Sequence, residues 1–398
     1  MMTSYDVNIG VRVNEIDLAD PEVSRDPFTA YGRAREAGPL ARLTIPGMGP
    51  VWVVTRHEDC RAVLADPRFE LTGQSFLRPE VPEHCLRYMR TMSEMDGAEH
   101  KRLRRLVTPA FSVRHADRFR PTIERLVDAL LDALPDDDPV DLLPHFARPL
   151  PMDVICELVG IPEPDRPRWR EHGAAVAVGY GPGFVAAIPA IMAGAEAAVA
   201  RRRAEPGEDV LSTLLGAGDQ ISDTELVTLV WHLVIAGQTP TNLILNALAA
   251  LLTHPDQLEA LRQDPTLLPG AVDELARWCG PTVLTIPRRA REDVELHGEL
   301  VRAGDAITAA VTAANRDPRV FEDPDRLDVR RPFGPPGHLG FGHGPHFCLG
   351  AALARVQTEV ALAALLRRYP DLAAAADLAD LRAPDPGTYR LTGLPVRR

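Results

Sequence analysis

Residues 341–350 read Phe341-Gly342-His343-Gly344-Pro345-His346-Phe347-Cys348-Leu349-Gly350, and a helix-forming run opens at Ala351. A cysteine in that place sits near the N-terminal end of the following helix, where unpaired backbone N–H groups and the helix dipole favour negative charge. Its sulfur is set to bind a soft metal as the thiolate. The glycines at 342, 344 and 350 let the backbone take positive φ and approach a flat ligand closely, and Phe341 can shield the sulfur from water. A free cysteine is most often a buried structural side chain. The turn chemistry packed around Cys348 argues for a ligand instead.

Haem iron fits such a loop best. At every fixed position the run matches the pattern Phe-Gly-x-Gly-x-His-x-Cys-x-Gly, and it therefore resembles the cysteine-ligand loop of the cytochrome P450 family, the haem-thiolate oxygenases. Along the rest of the chain the resemblance extends from about residue 20 to 397 and is to the soluble bacterial, actinobacterial type. It implies a mainly α fold with a minor β part, in which a long central helix crosses over the haem and the cysteine loop lies on the opposite face.

Composition agrees with a large soluble enzyme. The 398 residues, 45% of them hydrophobic, are enough to bury a sizeable core. No basic segment followed by an apolar stretch marks the start, and no apolar run has the length needed to span a bilayer, so a cytoplasmic enzyme without a membrane anchor is expected. Cys60, Cys85, Cys156, Cys279 and Cys348 lie far apart, which argues against a zinc site or a disulfide framework, and without Cys-x-x-Cys-His any haem is haem b, held without thioether links. The net charge of −12 argues against nucleic acid as a partner. His100-Lys101-Arg102-Leu103-Arg104-Arg105 is a basic island in this acidic chain and contains its single lysine.

The patterning predicts one domain over residues 1–398. Short β-type runs, such as Pro50 to Thr55, occupy residues 1 to about 75, and further short strands fall between 282 and 311. Apolar residues recur at three and four spacing in 122–134, 150–160, 185–203, 222–251 and 268–279, so the region 97–280 reads as helical, as does 350–370. The stretch from Ser222 to Leu252 is long for one helix, with Ser222 or Asp223 as N-cap and His254-Pro255 beyond its end. Residues 315–339 read as irregular.

Several further residues take roles from the resemblance. Glu274 and Arg277 form a Glu-x-x-Arg pair at i and i+3 on a helix; with Arg326 of Pro324-Asp325-Arg326-Leu327 they resemble the family's Glu-Arg-Arg triad, although Leu327 stands where Phe is usual. His100 and Arg104 fall at i and i+4 on one helical face, able to clamp an anionic propionate. With Arg288 and His346 they match the family's propionate contacts, and strand alternation lets only one of Arg288 and Arg289 face the haem. The arginines at 102–105, with Arg355, resemble the patch that receives an acidic ferredoxin, itself reduced by a ferredoxin reductase.

One stretch departs from the family. Ala236-Gly237-Gln238-Thr239-Pro240-Thr241 stands where most members have Ala-Gly-x-(Asp/Glu)-Thr, so Thr239 replaces the acid and Pro240 the alcohol of the usual proton relay. Proline removes the helical bond to the Ala236 carbonyl, at a cost of about 3 kcal/mol that a pre-existing kink would reduce. Three explanations stand side by side: Gln238, Thr239 or Thr241 with water replaces the relay; the substrate brings its own hydroxyl or N–H; or less oxygen is inserted than usual. Substrate walls are expected from 70–95, 173–195, 282–286 and the turn near Thr388-Tyr389, whose apolar content favours a medium or large, mostly apolar ligand. The expected reaction is hydroxylation or epoxidation of a secondary metabolite. Oxidative coupling of aromatic substrates such as cyclic dipeptides, or a non-catalytic haem sensor or carrier, are the alternatives.

Overall fold

The computed structural model describes residues 14–44, 49–76, 79–178 and 181–398. The opening stretch and small parts of two expected substrate walls, 77–78 and 179–180, lie outside them.

Residues from the first seventy or so positions and from 288–309 build one sheet. Its strand order is Asn14–Asp17, Leu40–Thr44, Val51–Val54, Ala306–Ala309, Arg288–Ala290, Phe69–Glu70. Val51–Val54 is buried at every position, as expected of a central strand covered on both faces. It runs parallel to Ala306–Ala309, with Trp52 opposite Ile307. The connection between these two strands contains most of the helical body, so the β regions read separately along the chain form a single platform. Arg288 lies opposite Ile307 in this sheet, while Phe69 pairs with Ala290; the register sets the Arg288 side chain beside the Phe69 backbone.

The expected long helix is two. Ser222 caps the first, Asp223–Ala236, in a reciprocal box: the Glu225 N–H donates to Ser222 Oγ and the Ser222 N–H to the Glu225 carboxylate at 2.8 Å. The second runs Gln238–Thr253. The break falls at Gly237, three residues before the proline. Its N–H still donates to the Leu233 carbonyl, and the Gln238 side-chain amide donates to the Val234 carbonyl at 3.0 Å. A Cβ at Gly237 would lie 2.2 Å from Ile155 Cδ1 and 3.1 Å from the Leu233 carbonyl oxygen, so the neighbouring helix approaches as closely as a glycine allows. Lower down, Asn246 donates to the carbonyls of Cys279 and Tyr389, fixing the second half against the Glu-x-x-Arg helix and the C-terminal turn.

This composite Asp223–Thr253, like Gly181–Ala204, is long and apolar enough to cross a membrane, which amends the sequence expectation. Its apolar surface instead serves the core: Leu226, Val230, Trp231, Val234, Ile244 and Leu248 are all buried. Against it pack Leu268–Cys279, with the Glu-x-x-Arg pair, and Ala351–Arg368, which follows the cysteine loop.

Glu274 and Arg277 are fully buried and joined by two bonds of 2.7 and 2.8 Å. The third arginine is Arg331, not Arg326. Arg331 Nε donates to Glu274 at 3.1 Å, whereas Arg326 is exposed and contributes only its carbonyl, which accepts from Arg277. Arg277 also donates to the carbonyls of Asn315 and Pro324. The irregular segment is thus held by its backbone, a constraint that residue spacing does not reveal.

Candidate active site

A cavity of about 530 Å³ separates the break in the long helix from the cysteine loop. In that loop Gly342 and Gly344 have φ of 74° and 71°. A Cβ at Gly344 would come within 2.7 Å of the Leu64 carbonyl, so glycine is required there on both counts. The Cys348 N–H donates to the Phe341 carbonyl at 2.8 Å, closing the loop.

Cys348 alone among the five cysteines lines this cavity and has open surface. That surface faces the cavity rather than bulk water, because the residue lies deep: burial pushes its thiol upward, opposed by the Gly350 N–H and the charges of Arg104 and Arg355. Burial drives the thiols of Cys156 and Cys279 up to about 12, and they stay inert. Phe341 lines the cavity beside the sulfur, with the Arg355 guanidinium 4.4 Å from its ring centroid.

His100, Arg104, Arg288 and His346 line the same cavity. His100 is 3% exposed and stacks on His346 at 4.2 Å between centroids; burial, then the charges of His346 and Arg104, push it down to about 4. His346 Nε2 bonds Asp96 at 2.8 Å, and Asp96 also accepts the Leu71 N–H at 2.7 Å. Arg104 donates to the Phe347 carbonyl, tying its helix, Gly97–Val107, to the cysteine loop. Arg288 is buried and donates to the Phe69 carbonyl, while its Nε is sealed from solvent with no partner. Arg289 is turned away and donates to the Gly304 carbonyl.

An orphaned guanidinium donor beside two imidazoles and a second arginine asks for an anion. A soft sulfur faces the same space. This donor set fits an iron porphyrin with two carboxylates.

Of the six helix residues singled out by sequence, Ala236, Gly237, Thr239 and Pro240 line the cavity. Gln238 is turned back onto its own helix. Thr241 is buried off the cavity with its hydroxyl unpartnered. The expected walls are met by Leu71, Met92 and Ser93, by Thr282 to Ile286 through Thr282, Leu284, Thr285 and Ile286, and by Thr388; no lining residue comes from 173–195 among those described. Sequence reasoning missed Asp96, whose only signal is its position before Gly97 at the helix start. It also missed His232, bonded to Ser93 Oγ at 3.0 Å, which carries no motif.

The basic run is mostly committed inward. Arg102 bonds Glu225 and the Gln220 carbonyl, and Arg355 donates to Asp273 at 2.7 Å. Lys101 and Arg105 are its exposed members.

Comparison with known proteins places these features. The family model described as Cytochrome P450 matches residues 196–372. Cytochrome P450 monooxygenase PikC of Streptomyces venezuelae is 40% identical over 394 residues, covering 97% of this chain and 94% of that protein. Mycinamicin IV hydroxylase/epoxidase of Micromonospora griseorubida is 42% identical over 356 residues, 86% of this chain and 88% of that protein. The ligand-free P450 monooxygenase TamI superposes with a TM-score of 0.87 at 39% identity, over 97% of this chain and 94% of that one. With such identity over nearly its whole length, a thiol-bearing loop and a broken helix facing it across one cavity, the chain belongs to the bacterial cytochrome P450 family and is an oxidoreductase of the monooxygenase type.

Proposed function

We propose that this protein is a haem b monooxygenase working as a single catalytic domain in the cytoplasm, hydroxylating or epoxidising a medium or large, mostly apolar secondary metabolite. One observation carries the substrate reading. The cavity running from Cys348 past the helix break is walled by Ile155, Leu158, Leu229, Leu233, Leu243 and Leu284 and, among the described residues, by no carboxylate. The relatives named above as monooxygenase and hydroxylase/epoxidase support the same reaction.

Cys348 would hold the iron, Phe341 would keep water from its sulfur, and His100, Arg104, Arg288 and His346 would hold the carboxylates. Bound there, the group would supply reductive activation of dioxygen, which a thiolate ligand favours by donating electron density. Asp96 orients His346 through Nε2, a positioning role. At the helix break Pro240 has no N–H, so the Ala236 carbonyl loses its helical donor and presents an acceptor close to Thr239. These two groups hold a water that passes protons into the cavity, in place of the missing acid and alcohol. Lys101 and Arg105 offer charge to an acidic ferredoxin.

The departure at Thr239 and Pro240 also supports a second reading, oxidative coupling of aromatic substrates with no oxygen retained. Labelled dioxygen separates the two. The purified ferric protein is titrated with polyketides, terpenoids, steroids and cyclic dipeptides, and the ligand that shifts the Soret band from low to high spin is turned over under the label. Stoichiometric label in the product supports oxygen insertion, and its absence from a coupled product supports the second reading.

A further inference from the structure

His232 lies on the helix Asp223–Ala236 and lines the cavity together with the apolar Met92, Phe111, Leu229 and Leu233, within reach of the charges of Arg104 and His346. Its Nε2 bonds Ser93 Oγ at 3.0 Å. Its Nδ1 has no hydrogen-bond partner among the described residues. A polar atom left open toward a cavity calls for a ligand group or ordered water. Ala236 follows one turn later on the same face and Thr239 and Pro240 after about two, so at 1.5 Å per residue His232 stands roughly 7 to 8 Å along the helix from the break at Gly237.

Behind His232 is a second cavity of about 190 Å³, and Met92, Leu229 and His232 line both. The charged side chains of this second cavity are all paired: Arg90 with Glu99 at 2.6 Å, Arg87 with Glu196 at 3.1 Å, and Glu225 with Arg102. An ammonium group would find no free carboxylate in either space. A carboxylate would compete for Arg104 and Arg288, already assigned to the haem. The other polar side chains on the wall, among them Thr239, Thr282, Thr285, Thr388 and Gln357, are neutral, and so is the hydrogen-bonded pair of Ser93 and His232.

We propose that His232 Nδ1, oriented by Ser93, hydrogen-bonds a hydroxyl or carbonyl oxygen of the substrate, so that the substrate is a neutral, oxygenated, otherwise apolar molecule rather than an amine or an acid. This deepens the monooxygenase reading and rests on it. Two tautomers serve. When Ser93 donates to Nε2, Nδ1–H donates to the ligand; when Nε2–H donates to Ser93, Nδ1 accepts from a ligand hydroxyl. Burial pushes His232 down to about 4, so the ring is neutral at pH 7 and free to take either form.

The test uses the holoenzyme and azoles whose imidazole nitrogen ligates the iron: N-phenylimidazole and N-biphenylylimidazole, each with hydrogen, hydroxyl or aminomethyl at the far para position. Binding is read from the visible spectrum. One hydroxylated member is expected to bind about five- to tenfold tighter than its parent, and the aminomethyl members more weakly than theirs. His232→Gln keeps a donor for Ser93 but has no group at the Nδ1 position, so it removes the hydroxyl advantage. His232→Asn places its amide there and retains part of it. A purified protein without a haem Soret band overturns the haem reading itself, and a set of azoles none of which moves that band overturns the open pocket that the anchor requires. Normal azole binding without a hydroxyl advantage at either length, or an advantage undiminished in His232→Gln, overturns the anchor and leaves the haem reading standing.

Discussion

At the scale of single residues, chemistry here depends on which side chains are left open to the cavity. Cys348 is open and four other cysteines are sealed; Cys348→Ala should abolish the thiolate-type Soret spectrum of the reconstituted protein, and retention of that spectrum would remove the ligand assignment. Thr239 faces the cavity while Gln238 and Thr241 do not, so Thr239→Val should lower the fraction of electrons recovered in product, whereas Thr241→Val should leave it unchanged. His232 gives a pH prediction. Its folded pKa of about 4 lies below the ordinary value near 6.5, so its contribution is present above pH 6.5 and is lost as pH falls toward 4. Between pH 7 and 5 that loss is about 2 kcal/mol at most. Urea unfolding of His232→Gln should therefore show a shallower decline over that interval than the parent protein.

At the scale of elements, two close fits hold the site's geometry. The contact of Gly237 with Ile155 sets how near the broken helix approaches its neighbour. Gly237→Ala is expected to cost about 1–3 kcal/mol through overpacking, with partial recovery in a double variant carrying Ile155→Val, both read by urea midpoints. The buried Glu274–Arg277 pair holds the irregular segment below the site. Glu274→Gln leaves Arg277 buried with a weakened partner and should cost about 3–5 kcal/mol. Arg331→Ala should cost more than Arg326→Ala, because only Arg331 reaches Glu274 with its side chain. Equal effects in those two variants would contradict this assignment.

At the scale of the whole molecule, one sheet joins the N-terminal strands to residues 288–309, and the helical body between them holds most of the cavity wall. Local pattern accounts for what the sequence could show: Cys348 and its glycines, the Ser222 cap, the helical spacing at 268–279 and the basic run near 101 depend on residues close together in the chain. The cavity's makers do not. Arg288 is chosen over Arg289 by sheet register against Phe69 and Ile307, Arg331 over Arg326 by the path of an irregular segment, and His232 is made polar anchor by Ser93, which is 139 positions away. The helix break mixes the two, since Pro240 and its lost bond to Ala236 are visible in sequence but the close packing of Ile155 against Gly237 is not. The family and the cysteine loop that carries its candidate ligand were therefore legible in the sequence alone, because such a loop is a local backbone conformation with its own glycine and cysteine requirements. Which arginines stay free, which helix residues see the cavity and what the substrate wall offers were decided only by tertiary structure, because burial and pairing are properties of neighbours brought together by folding.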